Sequence, residues 1–213
     1  NPDTFENEFE KCLKKGYDIL YLGFSSGLST TYNSGRLACE ELAEAYPDRK
    51  LLSVDTLCAS AGQGLLVYLA VQKKNEGATI EEVASYIESI KLNLCHWFTV
   101  DDLVYLKRGG RVSPAVALLG GMLNIKPVMH VDNEGHLVAV GKVRGRKTSL
   151  KALVSNMEAS WLPEENPTIF ISHGDCLEEA KELEKILGDM SFMGILEYNW
   201  ENPTRTKQWV LPM

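Results

Sequence analysis

Apolar and polar positions in the first part of the chain follow two periods in turn. Phe5, Phe9, Cys12 and Leu13 lie three to four residues apart, a helical stripe that Asp3 and Glu6 open as a capping box and Gly16 stops. Residues 18–24 form a short apolar run, read as a strand, that enters the turn Gly23-Phe24-Ser25-Ser26-Gly27-Leu28-Ser29-Thr30. An amphipathic helix is predicted over 30–46, a second strand over 50–54, and a small-residue helix over 59–74 that stops at Asn75-Glu76-Gly77. Thr79 and Glu82 cap one more helix, with Ile80, Val83, Ala84, Ile87 and Ile90 on its buried face. Strands and helices alternating over short connections predict a parallel sheet flanked by helices.

The pattern changes near residue 90. A strand at 97–100 runs into Asp101-Asp102, followed by 103–111, a helix start at Ser113-Pro114 and the apolar run 115–123. Strands at 126–131 and 136–143 flank Asp132-Asn133-Glu134-Gly135, which reads as a β-hairpin. A helix through Leu150, Leu153, Val154 and Met157, a strand at 168–172, a helix at 176–187 and a strand at 192–198 complete the series. The expected architecture is α/β with two domains. Residues 1–90 form an α/β domain on a parallel sheet, incomplete at its start because the chain opens at Asn1 without methionine. Residues 91–213 form an α+β domain with a mixed sheet.

Composition narrows the function classes. Apolar content of 45% and charged content of 24% are those of an ordinary globular protein. A net charge of −7 argues against nucleic acid as partner. The cysteines at 12, 39, 58, 95 and 176 are odd in number and form no Cys-x-x-Cys pair, so the pattern predicts neither a zinc site nor a disulfide framework, and favours a reducing cytoplasm. His96, His130 and His136 have no ligand-like spacing, and no metal site is predicted. No apolar run approaches the ~20 residues of a membrane span.

The candidate chemistry centres on the first turn. Ser25, Ser26, Ser29 and Thr30 with Gly27 stand where free N–H groups and the positive end of a helix dipole favour an anion. Simple N-capping by one of the hydroxyls is the competing reading. The stretch is neither Gly-x-Ser-x-Gly nor a phosphate loop, and uncharged hydroxyls suit a carboxylate better than a polyphosphate. Two basic clusters, Lys107-Arg108-Gly109-Gly110-Arg111 and Lys142-Val143-Arg144-Gly145-Arg146-Lys147, suit an anion or an acidic partner, or else are solvated loops. Residues 118–125 read as core or as the wall of a lipid-sized pocket, and His173 at a strand end as structural or functional.

Taken together, Phe24-Ser-Ser-Gly-Leu-Ser29-Thr-Thr-Tyr32, Val54-Asp-Thr56, Ala61-Gly-Gln-Gly64, Asp101-Asp102-Leu103, Lys107-Arg-Gly-Gly-Arg111, Asn124-Ile-Lys-Pro-Val128 and Lys142-Val-Arg144 resemble the DegV family of bacterial proteins. The resemblance implies the EDD fold and a cytoplasmic, non-enzymatic lipid-binding protein. It would hold a long-chain fatty acid such as palmitate in a buried tunnel and present it to a fatty acid kinase. It needs no cofactor, and the fatty acid is its ligand. The carboxylate would sit at Ser29, supported by Ser26, Ser25, Gly27 and Thr30. Arg111 and Arg144, with Arg108 and Arg146, would form the headgroup and partner face. The family's Thr-Ser-Gln-Pro motif, which supplies the rest of that site, is expected ahead of Asn1. A family loop of the pattern Thr-His-x-Gly-Pro-Gly has no counterpart in 195–209, and His173 lies one strand too early to replace its histidine. The rival reading is a small serine-dependent hydrolase or transferase using the Ser25–Ser29 loop.

Overall fold

The structure is a computed structural model that describes residues 1–113, 124–160, 162 and 168–187, and the backbone of 192–197. The chain separates into two compact units, one of Asn1–Leu94 and one beginning at Cys95. Residues 115–123 and most of the apolar run 118–125 lie outside the described residues, as does most of the stretch 195–209.

In the first unit, helix α1 (Pro2–Leu13) begins two residues earlier than the expected capping box. Asn1 is the N-cap, its Oδ1 accepting from Asp3 N–H at 3.2 Å, with Pro2 in the first turn where a missing N–H costs nothing. Asp3 is therefore inside the helix rather than at its cap. Strand β1 (Ile19–Gly23) pairs in parallel with β2 (Leu51–Asp55), in register from Ile19↔Leu51 to Gly23↔Asp55. Helix α2 (Thr31–Ala45) ends at Tyr46 because Pro47 pushes the residue before it out of the helical region. Helices α3 (Ser60–Asn75) and α4 (Ile80–Ile90) follow. The predicted capping box on α4 is present in both directions, with Thr79 N–H donating to Glu82 Oε2 at 2.7 Å and Glu82 N–H to Thr79 Oγ1 at 3.3 Å. Val54, Cys58, Leu66, Ala70, Val83 and Ile87 form the core between β2, α3 and α4, and Leu13, Ile19 and Leu42 form a second cluster with α1 and α2.

The second unit begins with β3 (Trp97–Phe98) and the short helix α5 (Val104–Arg108). Strands β4 (Ile125–Val131) and β5 (Leu137–Arg144) form the predicted hairpin, and β3 joins β4 to complete an antiparallel sheet. Asp132 builds the hairpin turn, its Oδ1 accepting from Glu134 N–H at 3.1 Å and His136 N–H at 2.8 Å, while Gly135 takes φ +78°. Helix α6 (Arg146–Ser160), β6 (Ile169–His173), α7 (Leu177–Leu187) and β7 (Phe192–Glu197) follow, with β6 and β7 parallel. The mixed pairing expected of this half is thus divided between an antiparallel sheet and a separate parallel pair. None of the described helices is long and apolar enough to cross a membrane.

Candidate functional site

Parallel in-register pairing makes the chain leave β1 and β2 at the same end, where open α/β sheets place their ligands. The two departing loops are bonded to each other. Thr56, fully buried, donates from Oγ1 to Gly23 O at 2.6 Å and accepts there from Cys58 N–H at 3.2 Å. Asp55 Oδ1 accepts from Ser26 N–H at 3.2 Å and Leu57 N–H at 3.1 Å. Ser25 N–H reaches Cys58 O at 2.9 Å, and Lys91 Nζ donates to Asp55 O at 3.0 Å. Leu57 and Ser60 adopt φ of +52° and +50°, left-handed conformations that β-carbon residues rarely hold without surrounding support. At Leu57 the bond from its N–H to Asp55 supplies part of that support.

The turn after β1 differs from the expected row of free amides. Ser25 is fully buried, its Oγ accepting from Gly27 N–H at 3.2 Å and its carbonyl from Leu28 and Ser29 N–H, both at 3.1 Å. With Ser26 N–H held by Asp55, the amides of residues 26–29 are all engaged inside the protein. What the turn offers instead is hydroxyl. Half-buried Ser29 accepts at Oγ from Thr31 N–H at 3.2 Å, and its Oγ lies 2.7 Å from Thr31 Oγ1. Ser26 and Thr30 are exposed, Gly27 is half-buried, and Thr30 makes no side-chain cap bond although it is the N-cap of α2.

Neither α2 nor α3 has an acidic residue in its first turn, whereas α1, α4 and α7 do. The carboxylate near these two helix starts is that of Asp55, which holds Ser26 and Leu57 N–H in the loops leading into them. Nearby thiols are inert, as burial pushes both Cys39 and Cys58 up to about 12. Behind the site, the ring of Tyr21 contacts Phe5, Phe9 and Tyr32, and its hydroxyl donates to Thr31 O at 3.3 Å. Burial pushes that phenol up to about 12, so it stays a neutral donor.

The basic residues lie in the second unit. Arg108 and Arg111 are exposed around the Gly109-Gly110 turn, where Gly110 has φ +73°, Arg108 lies 5.8 Å from the Tyr105 ring, and Arg111 donates to Gly109 O. Arg144 is exposed at the end of β5. Arg146 is half-buried at the start of α6. Its Nε and Nη2 both hold Glu179 Oε2, at 2.9 and 2.8 Å, fastening α6 to α7. His173 is 7% exposed, and its Nδ1 accepts from Cys176 N–H at 3.2 Å at the start of α7, a structural placement.

Asp55, Thr56 and Thr31 organise the site and stand outside the candidate set read from sequence. Asp-Thr directly after an apolar strand was their visible signal. Its meaning depends on β2 lying beside β1.

Fold and turn together define an α/β protein with a hydroxyl-rich turn at the carboxyl end of paired parallel strands. The sequence model described as "Uncharacterised protein, DegV family" matches residues 1–193, and the chain belongs to that family. It is 48% identical over 187 residues to the DegV domain-containing protein CPE0026 of Clostridium perfringens, covering 88% of this chain and 64% of that protein. It is similar in structure to a DegV lipid-binding protein from Thermotoga maritima, with a TM-score of 0.77 and 30% identity over 92% of this chain and 68% of that one. It is also similar to the Fatty Acid Kinase (Fak) B3 protein of Streptococcus pneumoniae loaded with linoleic acid, with a TM-score of 0.82 and 25% identity over 92% and 69% of the two chains. The chain thus spans less than two thirds of the length of its Clostridium perfringens relative.

Proposed function

We propose that this chain is part of a cytoplasmic fatty-acid carrier that binds the carboxylate at the Ser29 turn and buries the hydrocarbon tail. The observation that carries this reading is the likeness to the Thermotoga maritima lipid-binding protein, at 30% identity over 92% of the chain. The site chemistry supports it, because an uncharged hydroxyl at the start of a helix with no acid in its first turn suits a single carboxylate. Most of the affinity comes from the tail. About 0.8 kcal/mol per buried methylene gives roughly 10 kcal/mol gross for a ~16-carbon chain. The headgroup contributes ~0.3–2 kcal/mol through the helix end, and an unpaired buried carboxylate would cost more than that.

The protein's role in this reading is binding rather than catalysis, and a fatty acid kinase supplies the phosphoryl chemistry. The partner assignment is supported by the likeness to the Fak B3 protein. Arg108, Arg111 and Arg144 are its proposed contacts, while Arg146 is committed to Glu179. The serine-hydrolase reading has no support in the first unit, since all four histidines lie at or beyond residue 96.

Native mass spectrometry of the purified chain tests the proposal. The expected result is a co-purifying mass of a free fatty acid, or uptake of added palmitate with one-to-one stoichiometry. Absence of both would refute the carrier reading, and serine labelling by a fluorophosphonate would support the hydrolase instead.

A further inference from the structure

We propose that Thr31 is a positioning residue that aims the Ser29 proton at the ligand, so that Ser29 presents an outward hydroxyl donor beside the already engaged amides of residues 26–29. This rests on the reading that a carboxylate docks at the Ser29 turn.

The argument is a count of donors and acceptors. A serine hydroxyl has one proton and two lone pairs. At Ser29 one lone pair already accepts Thr31 N–H at 3.2 Å. The 2.7 Å contact between the two hydroxyl oxygens needs one proton, from either side. If Thr31 gives it, both lone pairs of Ser29 are filled and the Ser29 proton is free to leave the pair. If Ser29 gives it, the Thr31 proton is free instead, and Ser29 has nothing left to donate.

An arriving carboxylate is purely an acceptor, so it selects whichever arrangement turns a proton toward it. With the carboxylate docked at Ser29 Oγ, as the proposed function has it, that is the first arrangement. Thr31, exposed on the outer side, becomes the relay's first donor. A hydroxyl that already accepts two hydrogen bonds is a stronger donor than an isolated one. The bond from Tyr21 to Thr31 O holds the Thr31 backbone in place while this happens.

The amides strengthen the case. Those of Ser26, Gly27, Leu28 and Ser29 are engaged by Asp55 and Ser25, and that of Thr31 by Ser29 Oγ, so these five are already spent inside the protein. Ser29 therefore carries the headgroup contact from this loop, and its direction matters more than it would in a phosphate loop.

Palmitate and hexadecanol, differing only in headgroup, are the probes. Binding is measured by calorimetry or by displacement of a fluorescent fatty acid, for the unaltered chain, S29A, T31V, T31S and the S29A/T31V pair. Thr31→Val is expected to weaken palmitate about three- to tenfold, the range of one lost net hydrogen bond, with hexadecanol changed less than about twofold. Thr31→Ser restores palmitate binding. Because Thr31 acts only through Ser29, S29A/T31V binds palmitate as S29A does. Equal palmitate binding by T31V and the unaltered chain, or additive losses in the pair, overturns the relay. Equal binding by S29A and the unaltered chain overturns the underlying carboxylate assignment and the relay with it, which separates the two failures. Circular dichroism of each variant registers loss of fold, and T31S supplies the readout if T31V fails to fold.

Discussion

Replacing Gly35 by alanine sets two well-known effects against each other, and the structure decides between them. Gly35 is buried within α2, where alanine is favoured over glycine by ~1 kcal/mol on helix propensity alone. A methyl at that position would lie 2.4 Å from Tyr21 Cε1, 2.7 Å from Cζ and 3.0 Å from Cδ1. The ring has little freedom to yield. It contacts Phe5 at 5.2 Å and Phe9 at 5.7 Å between centroids, stacks on Tyr32 at 6.1 Å, and is tied by its hydroxyl to Thr31 O. Overpacking of this kind costs ~1–3 kcal/mol, and displacing the ring forfeits ~0.5–1.5 kcal/mol from each aromatic pair it loses. The clash therefore wins, and G35A is expected to be destabilised by about 2 kcal/mol. Urea denaturation gives the midpoint shift, valid if the slope is unchanged. A cycle with Tyr21→Leu locates the cause, since the smaller side chain should relieve most of the penalty and give a coupling above ~1 kcal/mol. A G35A chain as stable as the original, or more so, would show that Tyr21 is free to move and that propensity governs. It would also weaken the account of how Thr31 is held, because the same ring carries the bond to its carbonyl.

Two further outcomes follow from the bonds around the site and from the second unit. Thr56→Val removes the donor to Gly23 O and leaves the Cys58 N–H without its acceptor in a buried setting; a loss of ~1–3 kcal/mol is expected by urea denaturation, against near neutrality for Thr56→Ser. Burial, helped by nearby His130, pushes His96 down to about 4 from its usual 6.5. Its neutral form is therefore favoured by folding, and the stability it contributes is complete above pH 6.5 and lost as pH falls from 6.5 toward 4. Thermal denaturation of the original chain should worsen over that window more than that of His96→Gln, and parallel curves would refute the assignment.

Much of the fold was legible because each element carries its own periodic signal. The Thr79–Glu82 box, the helix stripe ending before Pro47 and the Asp132–Gly135 turn are local patterns whose physics is complete within a few residues. The cap of α1 was misread for a related reason. Asp3 and Glu6 fit the box spacing, but Asn1 followed by Pro2 starts the helix earlier. Arg146 shows the limit of composition. Its cluster reads as a basic surface, yet Glu179, 33 residues away in sequence, takes two of its nitrogens.

The sequence by itself determined that an apolar strand, a hydroxyl-rich turn and a helix start are contiguous around Ser29, and it carried the seven blocks that resemble DegV proteins. Only the tertiary structure decided which groups the site can use. Ser25, Ser26, Ser29 and Thr31 differ little as a string of hydroxyls. Parallel pairing brings Asp55 and Thr56 beside that string, where Asp55 takes the Ser26 amide and Thr56 the Gly23 carbonyl. Burial of Ser25 takes one hydroxyl into the turn itself. The Ser29–Thr31 pair remains at the helix start, joined by two contacts at Ser29 Oγ that leave the pair one hydroxyl proton. Hydrogen-bond capacity is a property of residue type, but whether it is already spent depends on neighbours that the chain brings together only by folding.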